Sequence, residues 1–182
     1  MKIAITGHSK GIGKALYDNL SQDHVVEGYS RSNGYDIATD IDKIIFDAID
    51  CDVFVNNAYK GIQQVDILYK LYNHWKNHKS KTIVNINSIS KYPGLSGNMT
   101  GYSAHKAALW HAASQIMFKD PTRRCRIINI NPGYVNTSMT NHMPDIEGKS
   151  ITADECADTI AWAINQPQHI EIGELTVYRT FI

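Results

Sequence analysis

The sequence is short of cysteine, of net charge and of long apolar runs, and each shortage removes a class of answers. Its three cysteines, Cys51, Cys125 and Cys156, are odd in number, widely spaced and without a Cys-x-x-Cys pair. Neither a disulfide framework nor a zinc site follows, and small buried thiols are the expectation. Lysine plus arginine and aspartate plus glutamate balance at 18 each, which leaves no charged tail for nucleic acid or a membrane surface. The densest basic patch, Arg123, Arg124 and Arg126, reads as surface charge before an apolar run rather than a phosphate-backbone footprint. No apolar stretch approaches the roughly 20 residues that cross a bilayer. The first residues run straight into Lys2 to Gly7 without signal-peptide architecture, so a cytoplasmic location is expected. His74 and His78, four apart, lack an evident third ligand, and no metal is expected.

What is present is alternation. The 182 residues suit one domain spanning 1–182, in which apolar runs of strand length alternate with segments of helical period. Strands are expected at Ile3 to Thr6, Val25 to Ser30, Asp52 to Asn56, Thr82 to Asn87, Arg126 to Asn131 and His169 to Tyr178, with a weak element at Tyr35 to Ile37. Helices are expected after Gly7 (Ile12, Leu16 and Leu20 on one stripe), at Ile41 to Ile49, Gln63 to His78, Tyr102 to Phe118 and Thr152 to Asn165. Thr152 with Glu155 three residues on spells a capping box for the last of these. The pattern is that of an α/β fold, a doubly wound parallel sheet between two helical layers. Only Tyr134 to Lys149 reads as irregular, and a loop of that length suggests a lid.

Chemistry enters at Thr6-Gly7-His8-Ser9-Lys10-Gly11-Ile12-Gly13, where glycines join the first strand to the first helix. Free amides and the helix dipole at such a junction attract a pyrophosphate. Further on, Tyr102 and Lys106 lie one helical turn apart, and Ser88 ends a strand fourteen residues before Tyr102. Asn56-Asn57-Ala58 follows one strand and Pro132-Gly133-Tyr134-Val135-Asn136-Thr137 follows another. Taken together, the TGxxxGxG loop, the Ser-Tyr-Lys order, the Asn-Asn-Ala stretch and the Pro-Gly stretch resemble the short-chain dehydrogenase/reductase family, of which this chain is an abbreviated likeness. The resemblance spans nearly the whole chain.

That resemblance implies a Rossmann-type fold and an NADP(H)-dependent oxidoreductase acting on a carbonyl or alcohol. Tyr102 would be the general acid/base, Lys106 would lower its pKa and bind ribose, and Ser88 would position the substrate oxygen. A phenol with an ordinary pKa of about 10 needs such tuning to work near neutrality. The cofactor would lie along Gly7, Ser9, Lys10, Gly11, Ile12 and Gly13, with Asp36 and Ile37 beside the adenine and Asn57 and Ala58 beneath the ribose. Pro132, Gly133, Val135 and Thr137 would approach the nicotinamide end, although Val135 also has a plain packing role open to it. After the second strand stands Ser30-Arg31-Ser32 rather than an acid; Arg31, with Lys10, favours the 2′-phosphate of NADP(H) over NAD(H).

The departures are as specific as the matches. Tyr59 stands where the family keeps the glycine of Asn-Asn-Ala-Gly. No asparagine falls where the family's fourth catalytic residue sits, and Gln63 or Gln64 are the possible surrogates. His8 and His105 flank the motifs as loop and helix residues, and Trp110 and Trp162 read as packing. Ile67, Leu71 and Trp75 form a second apolar stripe on the Gln63 to His78 segment, which in this family belongs to a dimer interface; a homodimer or homotetramer is expected. A non-catalytic NADP(H)-binding sensor on the same fold is the other reading, since fold and cofactor loop alone do not prove turnover. The substrate, beyond a small carbonyl or alcohol, is not written in the sequence.

Overall fold

The computed structural model describes residues 1–93, 101–141 and 148–180. Its strands, in chain order, are β1 (Lys2–Thr6), β2 (Val25–Tyr29), β3 (Val53–Asn56), β4 (Thr82–Ile86), β5 (Arg126–Pro132), β6 (Val135–Asn136), β7 (Ile151–Thr152) and β8 (Glu174–Val177). The helices are α1 (Gly11–Leu20), α2 (Ile41–Ala48), α3 (Gln63–Trp75), α4 (Gly101–Lys119) and α5 (Ala153–Ile164). Six strands form one parallel sheet in the order β2-β1-β3-β4-β5-β8, and β6 pairs with β7 apart from it.

The central strands are apolar at nearly every position because both of their faces are covered. On one face Ala4, Phe54, Ile83 and Ile127 pack with Ile44, Leu68, Leu71 and Leu109 of α2, α3 and α4. On the other, Ile3, Ile5, Val55, Val84 and Ile128 pack with Leu16, Leu20, Ile160 and Ile164 of α1 and α5. The strand order reverses between β1 and β3, so a crevice opens beyond their carboxyl ends, the usual place for a ligand in such a sheet.

Four expectations are corrected. Tyr35 to Ile37 forms no strand: a 3-10 turn, Arg31–Asn33, follows β2, Ile37 is buried against the core, and β2 is the edge. Arg126 is not surface charge but 4% exposed. Its guanidinium donates to Ile164 O (2.9 Å) and Gln166 O (3.0 Å), closing the C-terminal end of α5 where carbonyls lack partners. The stripe Ile67, Leu71 and Trp75 is fully inside the single chain, so it offers nothing to a second copy. Trp162, by contrast, is largely exposed rather than packed.

The Tyr134 to Lys149 stretch leaves and rejoins the body at a short ladder, Val135 opposite Ile151 and Asn136 opposite Thr152. Within the expected lid, residues 142–147 lie outside the described residues. The capping box on α5 is present in full: Thr152 Oγ1 accepts from Glu155 N at 3.1 Å and Glu155 Oε2 accepts from Thr152 N at 2.7 Å. All three cysteines are free and buried.

Candidate active site

The glycine loop is built by close approach. Gly7 ends β1 at φ 72, a left-handed conformation costly for other residues. A Cβ on Gly13 would stand 2.3 Å from Gly7 O and 2.5 Å from Asn57 Nδ2, so only hydrogen fits there. Asn57 closes the same corner, donating from Nδ2 to Thr6 O at 2.8 Å and from its backbone to Thr6 Oγ1 at 2.9 Å; the Ala58 amide shares that hydroxyl at 3.0 Å. Lys10 is the N-cap of α1 but supplies no side-chain cap, which leaves first-turn amides for an anion. Ser9 and Lys10 are exposed, Gly11 and Ile12 half-buried. The side chain of Thr137 lies against Gly11, 3.2 Å from where a Cβ would be. The residues of the loop, the Asn-Asn-Ala stretch and the Pro-Gly stretch therefore do come together.

The residues after β2 are placed as follows. Arg31 is exposed directly beyond β2. Glu27, the nearest strand acid, is held by Lys2 Nζ at 3.0 Å and by the Tyr29 hydroxyl at 2.9 Å. Asp36 Oδ1 accepts from Ala38 N at 2.9 Å, and Ile37 is buried against the core. His8 lies against Gly28, where a Cβ would meet its ring at 2.2 Å, and burial lowers its pKa.

At the other end of the crevice, Ser88 caps the 3-10 turn Ile89–Lys91, its Oγ accepting from Ser90 N at 3.1 Å, and it also hydrogen-bonds Tyr102. Lys106 is 3% exposed, one turn along α4, and its Nζ donates to Gln64 Oε1 and to Ile86 O, both at 2.7 Å. Nζ lies 5.5 Å from the centroids of both the Tyr102 and the Tyr59 rings. Pro132 ends β5; Gly133 N donates to Val177 O at 2.8 Å, and a Cβ there would meet Tyr178 at 2.7 Å. Val135 is buried, and its carbonyl is engaged by Thr140 Oγ1 at 2.7 Å.

The electrostatics differ from the simple picture of a lysine depressing a phenol. Burial pushes the Tyr102 phenol up, the Ser88 hydrogen bond pulls it down, and Tyr59 adds to the rise. Burial alone brings the Lys106 ammonium down to about 7. In this arrangement the lysine gives up its proton before the phenol does, and its charge does not pull on Tyr102.

Tyr59, the departure from the family pattern, occupies the centre. Its ring meets Tyr102 edge-on at 4.8 Å and its hydroxyl pairs with His105 Nδ1 at 3.1 Å. Sequence reasoning missed a buried polar row beside it: Asn56, Asn85 and Asn129 stand in register on β3, β4 and β5. A signal was available, since asparagine is depleted in strands yet recurs here at matching positions of three apolar runs.

A family model described as short chain dehydrogenase matches residues 64–147. An uncharacterized oxidoreductase of Staphylococcus epidermidis is 27% identical over 97% of this chain and 96% of its own length. Another, of Staphylococcus aureus, is 31% identical over 52% of this chain and 41% of its own. Among solved structures, 3-ketoacyl-(acyl-carrier-protein) reductase from Brucella melitensis, complexed with NADH, superposes with a TM-score of 0.80 at 18% identity, covering 97% and 96% of the two chains. The 3-alpha-hydroxysteroid dehydrogenase from Pseudomonas sp. B-0831, complexed with NADH, gives 0.74 at 21% identity over 97% and 95%. A short chain dehydrogenase from Burkholderia cenocepacia in complex with NADP gives 0.74 at 17% over 96% and 95%. At these identities the structures speak to the fold. Residues 64–147 thus match the short chain dehydrogenase model, and the chain is similar along nearly its whole length to an oxidoreductase of Staphylococcus epidermidis.

Proposed function

We propose that this chain is a short-chain dehydrogenase/reductase that uses NADP(H) to interconvert a carbonyl and an alcohol, with Ser88, Tyr102 and Lys106 as its reacting centre. The observation that carries the reading is their convergence: Ser88, beyond β4, hydrogen-bonds Tyr102 of α4, and Lys106 Nζ lies 5.5 Å from the Tyr102 ring. The loop fits a dinucleotide because Gly13 has no room for a side chain and α1 begins without a side-chain cap. Gly7, Ser9, Lys10, Gly11, Ile12 and Gly13 would hold the pyrophosphate, Arg31 the 2′-phosphate, and Asp36 with Ile37 the adenine. Asn57, Ala58 and Lys106 would take the ribose side, and Pro132, Gly133, Val135 and Thr137 the nicotinamide end. Arg31 and Lys10 are both exposed, and Glu27 is already paired with Lys2, which supports NADP(H) over NAD(H).

The nicotinamide supplies or accepts the hydride. The chain does the rest: Ser88 hydrogen-bonds the substrate oxygen and fixes its direction, and Tyr102 Oη delivers the proton to that oxygen as the carbon is reduced, or takes it in the reverse direction. Lys106, one turn along α4, would hold the ribose and, when protonated, favour the phenolate of Tyr102.

The location is read as cytoplasmic and the substrate as a small molecule, and no helix of the described residues is long and apolar enough to cross a membrane. Assembly into a homodimer or homotetramer is part of the reading; with the Ile67 stripe buried, it would rest on Tyr69 of α3 and Phe118 of α4, both exposed.

One observation favours the sensor reading: Tyr59 lies over Lys106 and against Tyr102, the two groups a ribose must reach. The same experiment decides. The purified chain is titrated with NADPH and NADH by energy transfer from tryptophan, then given NADPH with a panel of carbonyl compounds. The reductase binds NADPH more tightly and oxidises it with some panel member, and Tyr102→Phe binds equally but does not turn over. Tight binding without oxidation selects the sensor, and full activity in Tyr102→Phe removes the mechanism.

A further inference from the structure

We propose that Gln64 is a positioning residue of the reacting centre, whose side-chain amide, fixed by the backbone carbonyls of Asn56 and Ile86, holds the Lys106 amino group through a direct hydrogen bond. The inference rests on the reductase reading for its effect on turnover, while the contact itself stands independently of it.

Gln64 lies in the first turn of α3 and is 2% exposed. Its Nε2 donates to Asn56 O at 2.7 Å and to Ile86 O at 3.3 Å. Two carbonyls on that side settle the orientation of the amide: the reverse placement would set an oxygen against carbonyls and an NH2 against an ammonium. Oε1 therefore faces Lys106 Nζ at 2.7 Å. With Ile86 O as second acceptor, the lysine keeps one of its three N–H donors for a further partner.

Behind Gln64 the row continues in one sense. Asn56 Nδ2 donates to Gln64 O at 2.8 Å and to Asn85 Oδ1 at 3.1 Å; Asn85 Nδ2 donates to Asn129 Oδ1 at 3.2 Å; Asn129 Nδ2 donates to Gly173 O at 3.2 Å. From Asn56 the row runs across β4 and β5 to Gly173, and Asn56 also ties it to α3 through the Gln64 backbone carbonyl. The Gln64 side-chain amide itself is fixed by the backbone carbonyls of Asn56 and Ile86, while the row holds β3 and the first turn of α3 together.

The groups facing Lys106 are Tyr59 from the loop after β3, Tyr102 from its own helix, the neutral Gln64 from α3 and the Ile86 carbonyl from β4. His105 reaches the cluster through the Tyr59 hydroxyl. Burial is the sole cause of the lowered lysine pKa, and no carboxylate contributes. A neutral acceptor at this point holds the amine near the boundary between its charged and neutral forms, so the identity of residue 64 sets where that boundary falls.

The test uses the full chain labelled at lysine Cε, with the Lys106 signal assigned by Lys106→Arg, and follows it by NMR across the neutral and alkaline range. In the wild type, Lys106 titrates near 7, and the Gln64 side-chain amide signal moves with the same midpoint. Gln64→Glu raises the Lys106 midpoint by a unit or more, about tenfold in proton affinity, and Gln64→Met lowers it. The alkaline limb of the kcat profile moves in the same directions. A Gln64 amide that stays still through the Lys106 titration overturns the proposal without any variant, as does an unmoved midpoint in both variants. Moving midpoints in a chain that oxidises no carbonyl-coupled NADPH would leave Gln64 in place and remove the reductase reading instead.

Discussion

Gly13 shows how much of a cofactor loop is decided by the absence of one methyl group. The atoms a Cβ would meet are the Gly7 carbonyl and the Asn57 side chain, one of them backbone that cannot swing aside. Gly13→Ala is expected to cost about 1–3 kcal/mol in stability, as overpacking generally does, and to weaken NADPH binding by displacing the Gly7 turn. Urea unfolding and nucleotide titration of the one variant check both; wild-type values in each would mean the loop relaxes freely. At this scale the sequence was most legible where spacing sets local geometry: the glycines join β1 to α1, and Ser88, Tyr102 and Lys106 lie together. Gln64 was visible only as a possible surrogate, because its contact with Lys106 spans 42 positions and no local pattern encodes it. Arg126 misled for the opposite reason. An arginine among arginines looks solvated, yet this one finds its acceptors at the end of a helix some 40 residues on.

Helices were read more surely at their ends than on their faces. The Thr152 and Glu155 pair marks the start of α5 in the sequence, and both of its reciprocal hydrogen bonds are formed. Thr152→Ala removes one acceptor for the Glu155 amide and is expected to destabilise the chain by about 1 kcal/mol, with Thr152→Ser restoring most of it. Because α1 and α5 pack together on one face of the sheet, the loss should appear in global unfolding; an unchanged urea midpoint would show that the first turn of α5 frays at no cost. The two apolar stripes of α3 were legible as stripes, but periodicity does not say what covers them. Here the sheet, α2 and α4 cover both, and only residues such as Tyr69 remain outside. The weak element at Tyr35 to Ile37 failed as a strand since a three-residue apolar hint competes poorly with the turn-forming Ser32-Asn33-Gly34 before it, where Gly34 takes φ 84.

For the whole molecule, the buried titrating groups fix how stability follows pH. Lys106 has its pKa lowered by burial from 10.5 to about 7, so between those values the unfolded chain holds a proton that the native chain does not, and stability rises with pH. Burial raises the thiols from 9.0 to about 12 for Cys51 and Cys156 and to about 11 for Cys125. Above 9 the native chain therefore keeps protons that the unfolded chain sheds, and stability falls. His8, lowered from 6.5 by burial, adds a loss on the acid side, where only the unfolded chain takes up its proton. The three effects together predict a maximum near pH 9, with Lys106 contributing a rise of at most about 3 kcal/mol between pH 7 and pH 9. Urea midpoints measured across these windows test it, and Lys106→Met should flatten the rising limb while leaving the thiol limb intact. If that limb survives in Lys106→Met, the ammonium is not destabilised by burial, and the balance among Lys106, Tyr102 and Gln64 drawn from this geometry does not govern the centre.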